Sequence, residues 1–99
     1  MDWIGESFEW DRRKEADNWR KHGVDFATAE GVFDDPRRVV AEDRAHSGRE
    51  PRYFCIGQVD EGILTVRYTV RGSRIRIIGA GYWRKGRRIY EKANQVHGR

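Results

Sequence analysis

The sequence predicts an α+β protein, a mostly antiparallel sheet of about four to five strands with two helices before it and one after it. Three observations predict it. Apolar residues between Asp11 and Phe33 recur at helical spacing, behind two aspartates suited to capping. From Arg37 onward the period drops to two in four successive segments, and from about Trp83 it returns to 3.6.

The elements follow in order. "SFEW" (Ser7 to Trp10) alternates polar and aromatic residues and reads as a short strand. Asp11 caps a helix running to about His22, which Gly23 closes by tolerating the left-handed conformation. Asp25 caps a shorter helix that places Phe26, Ala29, Val32 and Phe33 on one face, and "DDP" breaks it. "RRVVAED" reads as a strand and "RAHSGREP" as a polar loop. "RYFCIGQV", "ILTVRYTV" and "RIRIIGA" are three more strands, joined by "DEG" and "RGSR". In the last helix Gly86, Ile89, Tyr90 and Ala93 share one stripe. Trp10, Trp19, Phe26, Phe33 and Tyr68 fall on core faces.

The hairpin around "RGSR" has the most to say about function, because its strands carry four arginines. Glycine at the first central position of Gly72-Ser73 suits a type II′ turn. That register pairs Arg71 with Arg74, Thr69 with Arg76, and Arg67 with Ile78. Val66, Tyr68, Val70, Ile75 and Ile77 then share the core face, and Arg67 and Arg76 lie diagonally on the other. Two guanidinium forks so placed can hold one phosphate, and their mutual repulsion calls for a nearby carboxylate or a bound anion. For the preceding hairpin a three-residue "DEG" loop puts Phe54 and Ile56 on the core face, whereas a two-residue loop puts Tyr53 and Cys55 there. The first is preferred because it buries the larger apolar pair, and the orientation of Arg52 depends on the choice.

Composition narrows the function. At 99 residues the chain is expected to form one domain. A single cysteine, Cys55, precludes an intrachain disulfide and favours a reducing compartment. The N-terminal "MDWIGESFEWD" has neither a basic leader nor a long apolar run, so a cytoplasmic protein away from the membrane is expected. The net charge of +4 conceals an asymmetry. Residues 1–70 hold eleven Lys+Arg against fifteen Asp+Glu, and residues 71–99 hold nine against one. A basic C-terminal segment of this kind suits a polyanion or an acidic protein surface. Paired-cysteine zinc spacing, a glycine-rich phosphate loop, a nucleophile elbow and a calcium loop are all missing from the sequence, so no metal site and no cofactor are expected.

The stretch "FEWDRRKEADNWRKHGVDFATAEGVFDDP" resembles the N-terminal half of the BrnT toxins, with their F-x-W-D, K-H-G-V-x-F and F-x-D-P. Further on, "ED", "HSGREPRY", "IG", "VRYTVRG", "IRII" and the late Tyr90-Glu91 follow that family's order, from Phe8 to Glu91 in all. The resemblance implies a RelE-like fold and a metal-independent endoribonuclease that arrests translation. It also implies a BrnA-like antitoxin with a ribbon-helix-helix region, through which alone the toxin meets operator DNA. The chain departs from the family where I-I-S-A-R becomes "IIGAG", with Gly79 for serine and Gly81 for arginine, and where Gly86 replaces a glutamate. Losing that arginine is expected to remove a phosphate contact or a transition-state stabiliser. The alternatives are therefore a weakened member serving as an antitoxin-binding co-repressor, or a generic nucleic-acid-binding module.

Metal-free RNA cleavage needs a base for the 2′-hydroxyl, cations for the pentacoordinate phosphorus, and an acid for the leaving oxygen. Arg67 and Arg76 suit the cationic task. His46 and Glu50, on the loop before a strand, are the candidate acid and base, although Glu50 equally serves to pair with a strand arginine. Lys21, Arg52, Arg71, Arg74, Arg84 and Lys85 are candidate RNA contacts. His22 reads as structural, a cation placed favourably at a helix C-terminus. Tyr82 and Trp83 can stack on bases or close the core under the last helix.

Overall fold

The computed structural model describes residues 7–95, so the acidic opening segment 1–6 and residues 96–99 lie outside the described residues. The elements are β1 (Phe8–Trp10), α1 (Arg12–His22), α2 (Phe26–Ala29), β2 (Val39–Glu42), β3 (Tyr53–Val59), β4 (Gly62–Arg71), β5 (Arg74–Gly81) and α3 (Arg84–Asn94). A 3₁₀ segment, Glu30–Asp34, continues α2, and a shorter one, Arg44–His46, lies in the loop before β3. This is the expected α+β layout, with one five-stranded sheet ordered β1-β5-β4-β3-β2. All neighbours are antiparallel except β1, which runs parallel to β5 through Phe8–Ile75 and Trp10–Ile77.

Local chemistry sets the ends of α1. Asp11 accepts hydrogen bonds from the N–H groups of Arg13 (2.7 Å) and Lys14 (3.3 Å), and these hold its carboxyl below the usual range. Gly23, at φ 68°, ends the helix and donates its N–H to the carbonyl of Trp19. Glu15 then ties α1 to its surroundings, accepting from the Trp10 indole N–H and from the backbone N–H of Phe26. Trp19, expected in the core, is instead 58% exposed. The residue that α1 buries is the neighbouring Asn18, which turns Trp19 about 100° away around the helix.

The core lies between one sheet face and α2 with its 3₁₀ extension. It contains Phe26, Ala29, Val32, Cys55, Leu64, Val66, Ile75, Ile77 and Ala80, all essentially inaccessible. Phe33 packs between Phe8 (ring centroids 5.3 Å apart, tilted) and Tyr68 (5.2 Å, edge to face), extending the core to the β1 side.

Two registers differ from expectation. The β3–β4 loop has two residues, Asp60-Glu61, closed by Val59–Gly62, and the left-handed residue is Asp60 (φ 56°). Cys55 therefore faces the core opposite Val66 and Tyr53 opposite Tyr68, while Phe54 and Ile56 point to the other face. The preference for burying Phe54 and Ile56 against the core failed because the other face has its own cover: α3 packs on β2, β3 and β4, leaving Ile56 2% exposed. In the β4–β5 hairpin, Gly72 (φ 62°) makes the expected turn, and the pairs from Arg71–Arg74 to Tyr68–Ile77 are those foreseen. The register then slips by one, so Arg67 pairs with Gly79 and Ile78 is the extra residue of a bulge. The slip brings Ala80, rather than Gly79, opposite Val66 in the core.

Two motif ends meet under α3. The Tyr90 hydroxyl donates to Asp35 at 2.6 Å, and burial and this bond together push its ionisation up to about 12. Asp35 also accepts the N–H groups of Arg37 and Gln58. Burial alone would raise the Asp35 carboxyl, but these three donors outweigh it and hold the group low. Gly86 and Tyr90 face inward as expected, whereas Ile89 and Ala93 do not.

Candidate active site

The charged chemistry sits on the sheet face opposite α2, and it divides into two zones. Toward the β4–β5 turn the arginines are neutralised. Arg76 Nη1 donates to Glu9 at 2.8 Å, and Arg74 reaches the other oxygen of the same carboxylate at 3.5 Å. The bond to Arg76 holds the Glu9 carboxyl below its usual range despite some desolvation. The carboxylate that the arginine display called for is thus Glu9, delivered by the parallel pairing of β1 with β5. Arg71 donates twice to Glu50, at 2.7 and 3.2 Å, which likewise holds that carboxyl low. Of the two readings of Glu50, the structure has the ion pair, and a carboxylate held low in this way is a poor proton acceptor.

The second zone is a cleft of about 190 Å³ at Arg67. Arg67, paired with Gly79 across the bulge, has no carboxylate partner among the described residues. It lines the cleft with Lys14, Asn18, Lys21, His22, Ile78, Gly79 and Trp83, and with one carboxylate, Asp17, which is ion-paired to Arg20. Asn18 puts the helix there. Its amide N–H groups donate to the carbonyls of Val24 (3.0 Å) and Ala80 (2.9 Å), and its oxygen accepts the Ala80 N–H (3.1 Å). β1 pairs only as far as Ile77, so the β5 edge beyond it needs partners, and the buried Asn18 satisfies both groups of Ala80. Lys14, Lys21 and His22 lie four residues before, three after and four after Asn18, the spacings that share its helix face. His22 meets the Trp83 indole edge-on at 5.1 Å.

The sequence-derived candidates therefore separate. Arg67 and Lys21 converge in the cleft, while Arg76, Arg71, Arg74 and Glu50 belong to the ion-paired zone. His46 is 60% exposed on its 3₁₀ turn, its Nδ1 at 3.0 Å from the buried carboxylate of Asp43. Arg52 contributes its backbone, accepting the Asp43 N–H and donating to the Ser47 hydroxyl. Arg84 and Lys85 begin α3, flanking two other depressions that share Trp83 with the cleft. Lys14 and Asn18 were not among the sequence-derived candidates, and His22 was read as structural; all three line the cleft. The signal that could have found them is the i, i+4, i+7 and i+8 spacing of Lys14, Asn18, Lys21 and His22, a polar stripe along one face of α1 of which only Asn18 is buried.

The three glycine departures have distinct surroundings. A Cβ on Gly79 would lie 3.6 Å from Asn18 Oδ1, an ordinary contact, so serine fits there. A Cβ on Gly81 would lie 2.5 Å from the indole of Trp83, which occupies the space that an arginine side chain needs. A Cβ on Gly86 would overlap the Thr65 hydroxyl, so glycine lets α3 close on β4.

The family model described as "Ribonuclease toxin, BrnT, of type II toxin-antitoxin system" matches residues 10–86, most of the chain and all of the cleft. The chain belongs to the BrnT family. Comparison with curated proteins finds no match. Membership in this family of type II ribonuclease toxins carries with it an antitoxin partner. Among the described residues of this BrnT-family chain, no three His, Cys, Asp or Glu side chains cluster as metal ligands, and no helix is long and apolar enough to cross a membrane.

Proposed function

We propose that this BrnT-family chain is, over its whole length, a single RelE-like toxin domain that cuts RNA at the Arg67 cleft without a metal ion and so inhibits translation in the cytoplasm. A BrnA-like ribbon-helix-helix antitoxin neutralises it, and it meets operator DNA only through that partner. The observation that carries this reading is the convergence of unpaired Arg67 with Lys14, Lys21 and His22. In the proposed reaction, neutral His22 accepts the proton of a 2′-hydroxyl, and the resulting oxyanion attacks the adjacent phosphorus. Arg67 and the lysines hold the charge that develops on the equatorial oxygens. An ammonium group of the cleft protonates the departing 5′-oxygen, leaving a 2′,3′-cyclic phosphate and a 5′-hydroxyl. Trp83 offers an aromatic wall for a flanking base.

Cleavage of a long single-stranded RNA, with chelator present, tests this. Arg67→Ala is expected to slow cleavage roughly 100- to 1,000-fold, as loss of a transition-state cation does. His22→Gln, which keeps the polar shape but removes the base, is expected to cost about 100-fold or more. Folded variants that cleave at the parental rate would remove the cleft from the mechanism.

A weakened enzyme acting as co-repressor has one observation in its favour, the Trp83 indole filling the space beside Gly81. Under that reading the parent is silent on RNA, and Gly81→Arg combined with Trp83→Ala gains cleavage. Gly81→Arg alone gains little, because the indole stands in its way.

A further inference from the structure

α3 covers only one end of the sheet face that carries Arg67, and an apolar groove of about 360 Å³ runs beside it. Phe54, Ile56 and Thr65 form its floor, Trp83 and Ile89 its walls, and Ala41 on β2 its outer lip. Ile89 is 40% exposed, on the flank of α3 that borders the groove. Thr65 is 4% exposed, and its hydroxyl oxygen is turned against Gly86 of α3, out of reach of the groove. An apolar trough of this size beside a basic helix has the character of a binding surface. Beyond Ala41 the groove opens on β2, the edge strand. The rim has one sign. Lys85, Arg88 and Lys92 line the adjoining depression, and its single carboxylate, Glu91, is held by Arg87.

We infer that this groove seats an acidic, amphipathic segment of the antitoxin, with aliphatic or aromatic side chains between Trp83 and Ile89 and carboxylates against the cations of α3. The inference rests on the toxin–antitoxin reading and deepens it. Charge selects this occupant over a second copy of the chain, because a second copy would bring the same basic helix against itself. The apolar floor, along which Lys85 is the one cation among the described residues, selects protein over RNA, whose backbone needs several phosphate contacts. Trp83 also walls the Arg67 cleft. A segment seated in the groove therefore ends on the indole that borders the catalytic cations, and neutralisation acts through Trp83 without requiring the antitoxin to cover Arg67 and Arg76.

The test uses the full chain and its co-expressed antitoxin, measuring affinity for the antitoxin and RNA cleavage by the toxin alone. Ile89→Asp is expected to weaken antitoxin binding about tenfold or more, as loss of a groove anchor does, while Ile89→Met stays near the parent. Both variants should retain the parental RNA cleavage. If Ile89→Asp proves unfolded by circular dichroism, Ala41→Glu on the exposed lip is expected to act in its place. Parental affinity in both folded variants overturns the inference. So does a parental homodimer that Ile89→Asp dissolves, or a loss of RNA binding in the absence of antitoxin. A parent that binds antitoxin through Ile89 but leaves RNA intact keeps the groove and removes only the nuclease reading.

Discussion

Asn18 is the residue on which the position of the site depends. Its amide satisfies three backbone groups at once, two of them on Ala80 beyond the reach of β1. Asn18→Ala leaves those groups buried and unpaired, and is expected to cost about 1–3 kcal/mol in a chemical denaturation experiment. Asn18→Asp should be worse. A carboxylate can still accept the Ala80 N–H, but its second oxygen faces the carbonyls of Val24 and Ala80. Both variants should lose RNA cleavage beyond their loss of stability, because Lys14, Lys21 and His22 ride on the same helix. An Asn18→Asp protein as stable as the parent would contradict this anchoring role. At this scale the sequence was only partly legible. Arg67 stood out by strand alternation, whereas His22 looked like an ordinary helix-end cation. Nothing local says which side of α1 will meet the sheet edge.

Among the elements, α3 shows how a single atom sets the distance between layers. Gly86 lies against Thr65, and any side chain at 86 must push the helix off β4. Gly86→Ala is expected to destabilise by about 1–3 kcal/mol through overpacking, despite alanine's better helix propensity. Thr65→Ala in the same chain should recover part of that loss, since it removes the obstructing hydroxyl. Strict additivity of the two changes, read from thermal melts, would show that they do not share this contact. The element boundaries themselves were largely written in the chain, because Asp11, Asp25, Gly23 and Gly72 act on their nearest neighbours. The bulge at Ile78 was not. It answers a demand of the core for Ala80 opposite Val66, which no turn rule contains.

At the scale of the whole molecule, the charge asymmetry along the chain is redistributed by folding. Glu9, from the acidic half, quenches Arg74 and Arg76, and Glu50 quenches Arg71. Among the described residues, Arg67 in the cleft and Lys85, Arg88 and Lys92 on α3 carry no such ion pair. RNA binding should therefore weaken with salt, and Lys21→Ala should reduce the slope of log affinity against log salt by about 0.7, one phosphate contact on a single strand. An unchanged slope would take Lys21 off the RNA path. The sequence by itself determined the class of fold, the order of its elements, the family and the arginine-bearing strand. Each of these is carried by nearest-neighbour chemistry or by residues spaced along one segment. Only the tertiary structure decided which cations are free. It also decided that Trp83 fills the space at Gly81, and that a helix-end histidine stands beside a strand arginine 45 positions away. Those outcomes depend on how β1, α1 and α3 pack around one sheet, and side chains distant in sequence meet only once that packing is made.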